Sequence, residues 1–300
     1  MSLFNALVSK TIMHVPGPIV GYFAKGYIAG EELADAVRVT RDLNGEGAMT
    51  TIDILGEFIT NLDEAAGFRD GCLEVLETIA REGLDANLSL KPTQMGLQLD
   101  KDQAFSNIRQ IVAKAAELDN FVRIDMEDIP CTDATLEFYR RLREEFPGHV
   151  GVVLQAYLRR TPQDIEDLAD APMNFRLCKG IYNEPRRAAW KDMPVINDSF
   201  VYCLEKMFRE QAYVGIATHD TRLVFHGERL VREFGLQREQ YEFQMLLGVD
   251  PELRSIILEQ GHRLRVYVPF GASWMPYSRR RLKENPTIAI HALRQMLGLR

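Results

Sequence analysis

Arg265-Val-Tyr-Val-Pro-Phe-Gly271 has the pattern of a buried strand closed by Pro269 and Gly271, and Tyr277-Ser-Arg-Arg-Arg-Leu-Lys-Glu284 follows it after a short turn. In the second stretch Tyr277, Arg280, Arg281 and Glu284 fall at i, i+3, i+4 and i+7. On a helix that spacing is one face, the stripe an ordinary amphipathic helix fills with Leu and Val. A phenol, two guanidiniums and a carboxylate there suit a helix that roofs a cavity and grips a small carboxylate, because a guanidinium fork matches two carboxylate oxygens. An isolated Arg-Arg pair is more commonly a solvated basic patch. The strand before it shifts the reading, since strand, short turn and functional helix is how barrel enzymes place chemistry at the carboxyl end of their sheet.

Working outward, short apolar runs recur at Met49 to Leu55, Ala86 to Leu90, Val122 to Met126, Gly151 to Ala156, Phe175 to Cys178, Tyr213 to Ala217, Tyr241 to Leu246 and Leu264 to Val268. Amphipathic stretches such as Glu64 to Glu82, Asp102 to Leu118, Thr132 to Glu145 and Asp198 to Gln211 lie between them. Strand and helix in alternation describe a (β/α)8 barrel of the α/β class better than an open sheet. A doubly wound sheet would carry a nucleotide signature, and neither GxGxxG after the first strand nor GxxxxGK[ST] is present. The organisation expected is an N-terminal helical segment over residues 1–45, clearest at Glu31 to Arg38, and one barrel domain over 46–300.

At 300 residues with a formal net charge of −7, the chain is long enough for one large core and carries no basic tract for nucleic acid. Purely electrostatic adhesion to anionic lipid is disfavoured for the same reason. Cys72, Cys131, Cys178 and Cys203 stand far apart with no CxxC, which fits a reducing compartment. Lys10, Pro16, Pro18 and Lys25 break the apolar N-terminus before any run approaches the about 20 residues of a membrane span. Phe4 to Val8 and Ile19 to Phe23 read as short apolar helices. The expected location is cytoplasmic, with any membrane contact peripheral at the inner membrane face.

The ends of the predicted strands are rich in polar residues. They are Lys91-Pro92, Asp125-Met126-Glu127, Gln155-Ala-Tyr157, Arg176-Leu-Cys-Lys179, Thr218-His219-Asp220, Glu242 with Gln244, and Tyr267. Any one of them is as readily a solvated turn residue or a salt bridge. Together they would be costly to bury at a barrel mouth without a polar ligand. Asp125, Glu127 and His219 carry metal-ligating atoms, but no HExxH or paired-His spacing accompanies them, and no metal is expected. A Schiff-base aldolase on Lys91 or Lys179 is a second possibility, since nearby arginines would favour a neutral lysine.

At these residues the sequence resembles the proline dehydrogenase family, specifically its bacterial single-function members. The segments that carry the resemblance are Leu88-Ser-Leu-Lys-Pro-Thr-Gln-Met-Gly-Leu97, Arg123-Ile-Asp-Met-Glu127, Val153-Leu-Gln-Ala-Tyr157, Arg176-Leu-Cys-Lys-Gly180, Ala217-Thr-His-Asp220 and Tyr277 with Arg280-Arg-Leu-Lys-Glu284. The resemblance implies a distorted (β/α)8 barrel with extra N-terminal helices and a C-terminal helix over the mouth, binding FAD noncovalently. It implies oxidation of L-proline to 1-pyrroline-5-carboxylate, with electrons passed to a quinone. By the same resemblance Arg280, Arg281 and Lys91 hold the substrate carboxylate, Glu284 steadies the arginines, and Tyr267, Tyr277 and Leu246 wall the ring. Arg176 and Asp125 are the implied catalytic residues beside flavin and amine. Met126, Gln155, Lys179, Gly180, Ile181, Thr218 and His219 match the cofactor-binding segments. Cys178, Asn183 and Asp220 depart from the residues common at those positions, near the flavin. Nothing resembles the long aldehyde dehydrogenase domain of bifunctional members, so a separate pyrroline-carboxylate dehydrogenase would act next. A 4-hydroxyproline dehydrogenase is the alternative within the same chemistry; a flavin-free barrel lyase or aldolase on Lys91 or Lys179, and a catalytically dead barrel that senses proline, are the alternatives of other classes.

Overall fold

The computed structural model describes residues 26–56, 59–170 and 172–275. Tyr277, Arg280, Arg281, Glu284 and the two apolar N-terminal segments lie outside the described residues, as does the expected C-terminal helix over the mouth. Eight strands, β1 Met49–Ile54, β2 Ala86–Leu90, β3 Val122–Ile124, β4 Val150–Gln155, β5 Asn174–Cys178, β6 Tyr213–Ala217, β7 Tyr241–Leu246 and β8 Leu264–Phe270, form a closed barrel in chain order. Every pairing is parallel, and β1 closes on β8 with Thr51 opposite Tyr267. The barrel expected from the strand and helix alternation is the fold observed.

Helices connect the strands: α1 Leu33–Gly45 precedes β1, and α2 Leu62–Glu82, α3 Lys101–Glu117, α4 Ile129–Glu145, α5 Thr161–Asp167, α6 Met193–Arg209, α7 Thr221–Glu233 and α8 Pro251–Glu259 follow the first seven strands in turn. Parallel strands need such crossovers, and each helix must bury an apolar stripe. Ile52, Leu88, Ile124, Val152, Phe175, Ile216, Phe243 and Val266 point outward from the strands into that layer. There they meet Val75, Ile108, Leu142, Leu204, Leu230 and Ile257 of the helices in one continuous core. Fully burying one such side chain contributes roughly 1.5–3 kcal/mol, so this outer layer supplies most of the stability. Helix starts are fixed locally, as where the Asn61 and Asp100 side chains accept the N–H groups of Glu64 and Gln103.

Two strand ends differ from the sequence expectation by two residues, the others by at most one. β3 stops at Ile124, because Asp125 leaves the ladder while its N–H still reaches the Leu90 carbonyl at 2.8 Å. β8 continues through Pro269, whose carbonyl accepts the Ala29 N–H at 2.9 Å. Among the described residues no helix is long and apolar enough to cross a membrane.

Candidate active site

Alternate residues of each strand face the barrel interior, and in this chain those positions are mostly polar. Hydrogen bonds across the interior identify them: Arg176 of β5 reaches Ser89 of β2, Asp125 after β3 and Gln244 of β7. Two glycines make room. A Cβ on Gly151 would lie 2.4 Å from Arg123 Nη1, and one on Gly215 would lie 2.4 Å from Gln244 Nε2. Arg123 fills the first space and donates to the carbonyls of Val152 and Asn174 at 3.2 and 2.9 Å.

Three ion pairs are stacked inside the barrel. Near its amino end, Arg265 Nε donates to Glu242 Oε1 at 2.8 Å, and the Tyr213 hydroxyl donates to Glu242 Oε2 at 2.8 Å. Burial opposes ionisation of Glu242, but the Arg265 charge together with the hydrogen bonds from Arg265, Tyr213 and Gln244 outweighs it and draws the carboxyl down to about 2. Glu242 also accepts from Gln244 Nε2 at 2.5 Å, which leaves Gln244 Oε1 to accept from Arg176 Nε at 2.5 Å. Sequence reading placed Glu242 with the polar strand ends. It is instead the second residue of β7, paired below the mouth, because its side chain completes the Arg265 charge.

Above it, Asp125 accepts from Arg176 Nη1 and Ser89 Oγ, each at 2.7 Å, and from the Tyr267 hydroxyl at 3.2 Å. Burial raises the Asp125 pKa, yet the charges of Arg176 and then Lys91 hold it below the usual carboxylate range. The third pair is Lys91 with Asp53, whose oxygens lie 2.9 and 3.0 Å from Nζ. Burial favours neutral lysine, but Asp53 and then Asp125 keep Lys91 above its ordinary value. A lysine held charged in this way is unsuited to forming a Schiff base, which needs the free amine. Lys179 is paired as well, with Asp220 at 2.7 Å.

Over these pairs lies a cavity of about 200 Å³. Of the residues singled out from sequence, Lys91, Asp125, Met126, Gln155, Arg176, Ile181, His219, Leu246 and Tyr267 line it together. Lys179, Gly180 and Thr218 do not line it and sit beyond the ends of β5 and β6. Gly180 has φ +103°, and a Cβ there would lie 2.1 Å from the Tyr157 ring, so only glycine passes close over that ring. Thr218 Oγ1 accepts the Asp220 N–H at 3.1 Å, and Asp220 in turn accepts from Arg222 N at the start of α7. Tyr277, Arg280, Arg281 and Glu284 lie outside the described residues.

Val153, Cys178, Tyr182, Ala217, Gln244 and Met245 also line the cavity without having been assigned a role. The residue missed outright is Asp53. It stands in the apolar run of β1 opposite Ser89, and its one signal was an acid inside that run. Asp125, Glu127 and His219 do not converge. Glu127 accepts from Thr93 N and Oγ1 at 2.9 and 2.6 Å, and His219 Nε2 accepts the Leu246 N–H at 2.8 Å. Among the described residues no group of three His, Cys, Asp or Glu is arranged to hold a metal.

The cavity's lining suits a flat, partly apolar ring system. Met126, Val153, Met245 and Leu246 supply surfaces, while Gln155, Arg176 and His219 supply polar edges. Lys179 and Gly180 form a rim beyond the end of β5, outside the cavity lining. Beside that rim the Asn197 side chain is 7% exposed with Oδ1 unpartnered, while its Nδ2 donates to Asp220 at 3.2 Å. A buried acceptor without a donor is what a ligand hydroxyl or amino group would satisfy.

The family model described as proline dehydrogenase matches residues 36–291. Proline dehydrogenase 1 of Bacillus subtilis (strain 168) is 36% identical over 274 residues, 91% of this chain and 90% of that protein. Proline dehydrogenase of Deinococcus radiodurans is 34% identical over 278 residues, 91% of this chain and 90% of that protein. Among solved structures, proline utilization A of Bdellovibrio bacteriovorus, inactivated by N-propargylglycine, superposes with TM-score 0.83 at 24% identity. That match covers 88% of this chain and 32% of the other, and shows a shared fold.

Proposed function

The chain belongs to the proline dehydrogenase family, and on that premise we propose that it oxidises L-proline to 1-pyrroline-5-carboxylate using noncovalently bound FAD. The observation that carries the reading is the set of Lys91, Asp125, Arg176 and Tyr267 around one cavity at the carboxyl end of the barrel. Bound FAD supplies the two-electron acceptor that no side chain offers.

Lys91 presents a fixed ammonium to the substrate carboxylate, with Arg280 and Arg281 completing the clamp as their helical spacing suggests. Glu284 steadies that fork. Tyr267, Leu246 and Tyr277 confine the ring, and confinement lowers the entropic part of the barrier. Arg176 donates to Asp125 through Nη1 and to Gln244 through Nε, and it lines the cavity where the ligand would lie. A preset guanidinium there stabilises negative charge that develops on the acceptor during reaction. Gln155, Met126 and His219 line the same ring site. Lys179, Gly180, Ile181 and Thr218 would hold the rest of the cofactor.

The proline amine must shed its proton before its lone pair assists departure of hydride. Asp125 is a poor acceptor for it, because its oxygens already take three donors and its pKa is depressed. Asp125 therefore orients Arg176 and Tyr267, and the proton goes to solvent. A quinone as final electron acceptor, the step's place in proline catabolism to glutamate, a separate pyrroline-carboxylate dehydrogenase downstream and a peripheral membrane position rest on the family resemblance.

The test is turnover of FAD-loaded protein on L-proline and on 4-hydroxy-L-proline, with the pyrroline product trapped chemically. Preference for proline supports the reading. Faster turnover on hydroxyproline moves the assignment to that substrate, and no turnover on either refutes it.

A further inference from the structure

Asp53 has no part in the chemistry above, yet it is the most secluded charge in the barrel, with a relative exposure of 0%. It does not line the cavity, whereas its partner Lys91 does. The carboxylate therefore holds the ammonium from the side away from the ligand. Its grip is nearly symmetrical, at 2.9 and 3.0 Å, so Nζ is pinned on the axis between the two oxygens. Both oxygens accept from the same Nζ. Burial pushes the Asp53 pKa up, and the Lys91 charge with the hydrogen bonds from Lys91 and Tyr267 opposes that rise.

Among the described residues no neighbour can replace it. Asp125 is the next acid, 3.5 Å from Nζ, but it is already committed to Arg176, Ser89 and Tyr267. The Tyr267 hydroxyl accepts from Nζ at 3.2 Å but carries no charge to offset a buried ammonium. Among the described residues the other ionisable groups around Lys91 and Asp53 are Glu127 beyond the end of β3, Arg176 beyond Asp125, and Cys72 of α2 behind Asp53.

We propose that Asp53 is a positioning residue for substrate binding: it fixes Lys91 in place and in its charged form at the wall of the cavity, and acts on the substrate only through Lys91. The proposal rests on the reading that Lys91 meets the proline carboxylate, and the experiment separates the two.

Asp53→Asn removes the charge while keeping the shape. Burial still disfavours the ammonium, and its largest opposing influence is gone, so Lys91 titrates at lower pH than in the parent protein. The expected result is a KM for L-proline raised about tenfold, in line with loss of one charge-assisted hydrogen bond, with flavin content unchanged. The variant-to-parent KM ratio grows as pH rises through the alkaline range, a dependence that loosened packing would not produce.

Lys91→Met and the double variant complete a cycle. The double variant leaves no buried charge uncompensated, so it remains foldable if Asp53→Asn alone is not. Action through Lys91 predicts that Asp53→Asn adds less than twofold to the KM of Lys91→Met. Additive effects, a pH-independent KM ratio or tighter proline binding in Asp53→Asn would overturn the proposal. An unchanged KM in Lys91→Met would instead overturn the assignment of Lys91 to the substrate.

Discussion

Replacing Asp125 by Asn probes the centre of the site, because the two oxygens of Asp125 serve different donors. Oδ1 accepts from Arg176 Nη1 and Ser89 Oγ, each at 2.7 Å; Oδ2 accepts from Tyr267 at 3.2 Å and lies 3.5 Å from Lys91. An amide offers one acceptor and one donor. In one orientation it keeps Arg176 and turns an NH2 toward Tyr267 and Lys91; in the other it faces Arg176 with the NH2. In the first orientation the Tyr267 hydroxyl loses its acceptor and Lys91 faces an NH2; in the second the cationic Arg176 loses its acceptor, a loss of about 1.5–3 kcal/mol; in both the negative charge that offsets Arg176 is gone. The combined loss of about 2–4 kcal/mol in transition-state stabilisation lowers kcat/KM for L-proline by roughly 30- to 1,000-fold. The assay is steady-state oxidation of L-proline with an artificial electron acceptor, with thermal midpoint and bound-flavin content as controls. A variant that folds, holds flavin and keeps kcat/KM within about threefold of the parent would refute the assignment of Asp125 as the organiser of Arg176 and Tyr267.

Three further outcomes are expected. Gly151→Ala destabilises the protein by about 1–3 kcal/mol in urea unfolding, because its Cβ would sit 2.6 Å from the Asn174 carbonyl as well as 2.4 Å from Arg123; Gly45→Ala, with nothing within 4 Å, does not. Glu242 has a folded pKa of about 2 against an ordinary 4.5, so its stabilisation is complete above the ordinary value and is lost as pH falls toward 2, by about 3 kcal/mol in total. Urea midpoints that stay level through that acid window would contradict the ion pair. Arg281→Met raises the KM for L-proline far more than it weakens flavin retention, measured by turnover and by FAD titration of the apoprotein. Equal proline affinity in that variant would remove Arg281 from the carboxylate clamp.

The barrel was legible because its outer layer is apolar and its punctuation regular. Ile52, Leu88 and Val152 sit in short runs, and helical stretches such as Glu64 to Glu82 separate them. The mouth was legible where a polar residue stood at or beside the end of a run, as Lys91 and Asp125 do, with Tyr267 inside the last run. Asp53 was hidden because a strand buried on both faces reads as apolar even when alternate positions carry charge, and one acid in six residues does not break the pattern. Glu242 was misplaced for a related reason. Polarity near a strand end marks the mouth only if the residue is at the carboxyl end, and the boundaries of β7 decide that. The pairing of Gln244 with Arg176 depends on strands far apart in sequence, and no local pattern encodes it.

The most direct test of the central claim is the visible spectrum of the FAD-loaded protein before and after anaerobic addition of L-proline. Two flavin absorption bands that bleach on proline addition are the predicted result. A reconstituted flavoprotein whose bands stay unchanged with proline, or a protein that fails to bind FAD at all, would contradict the account.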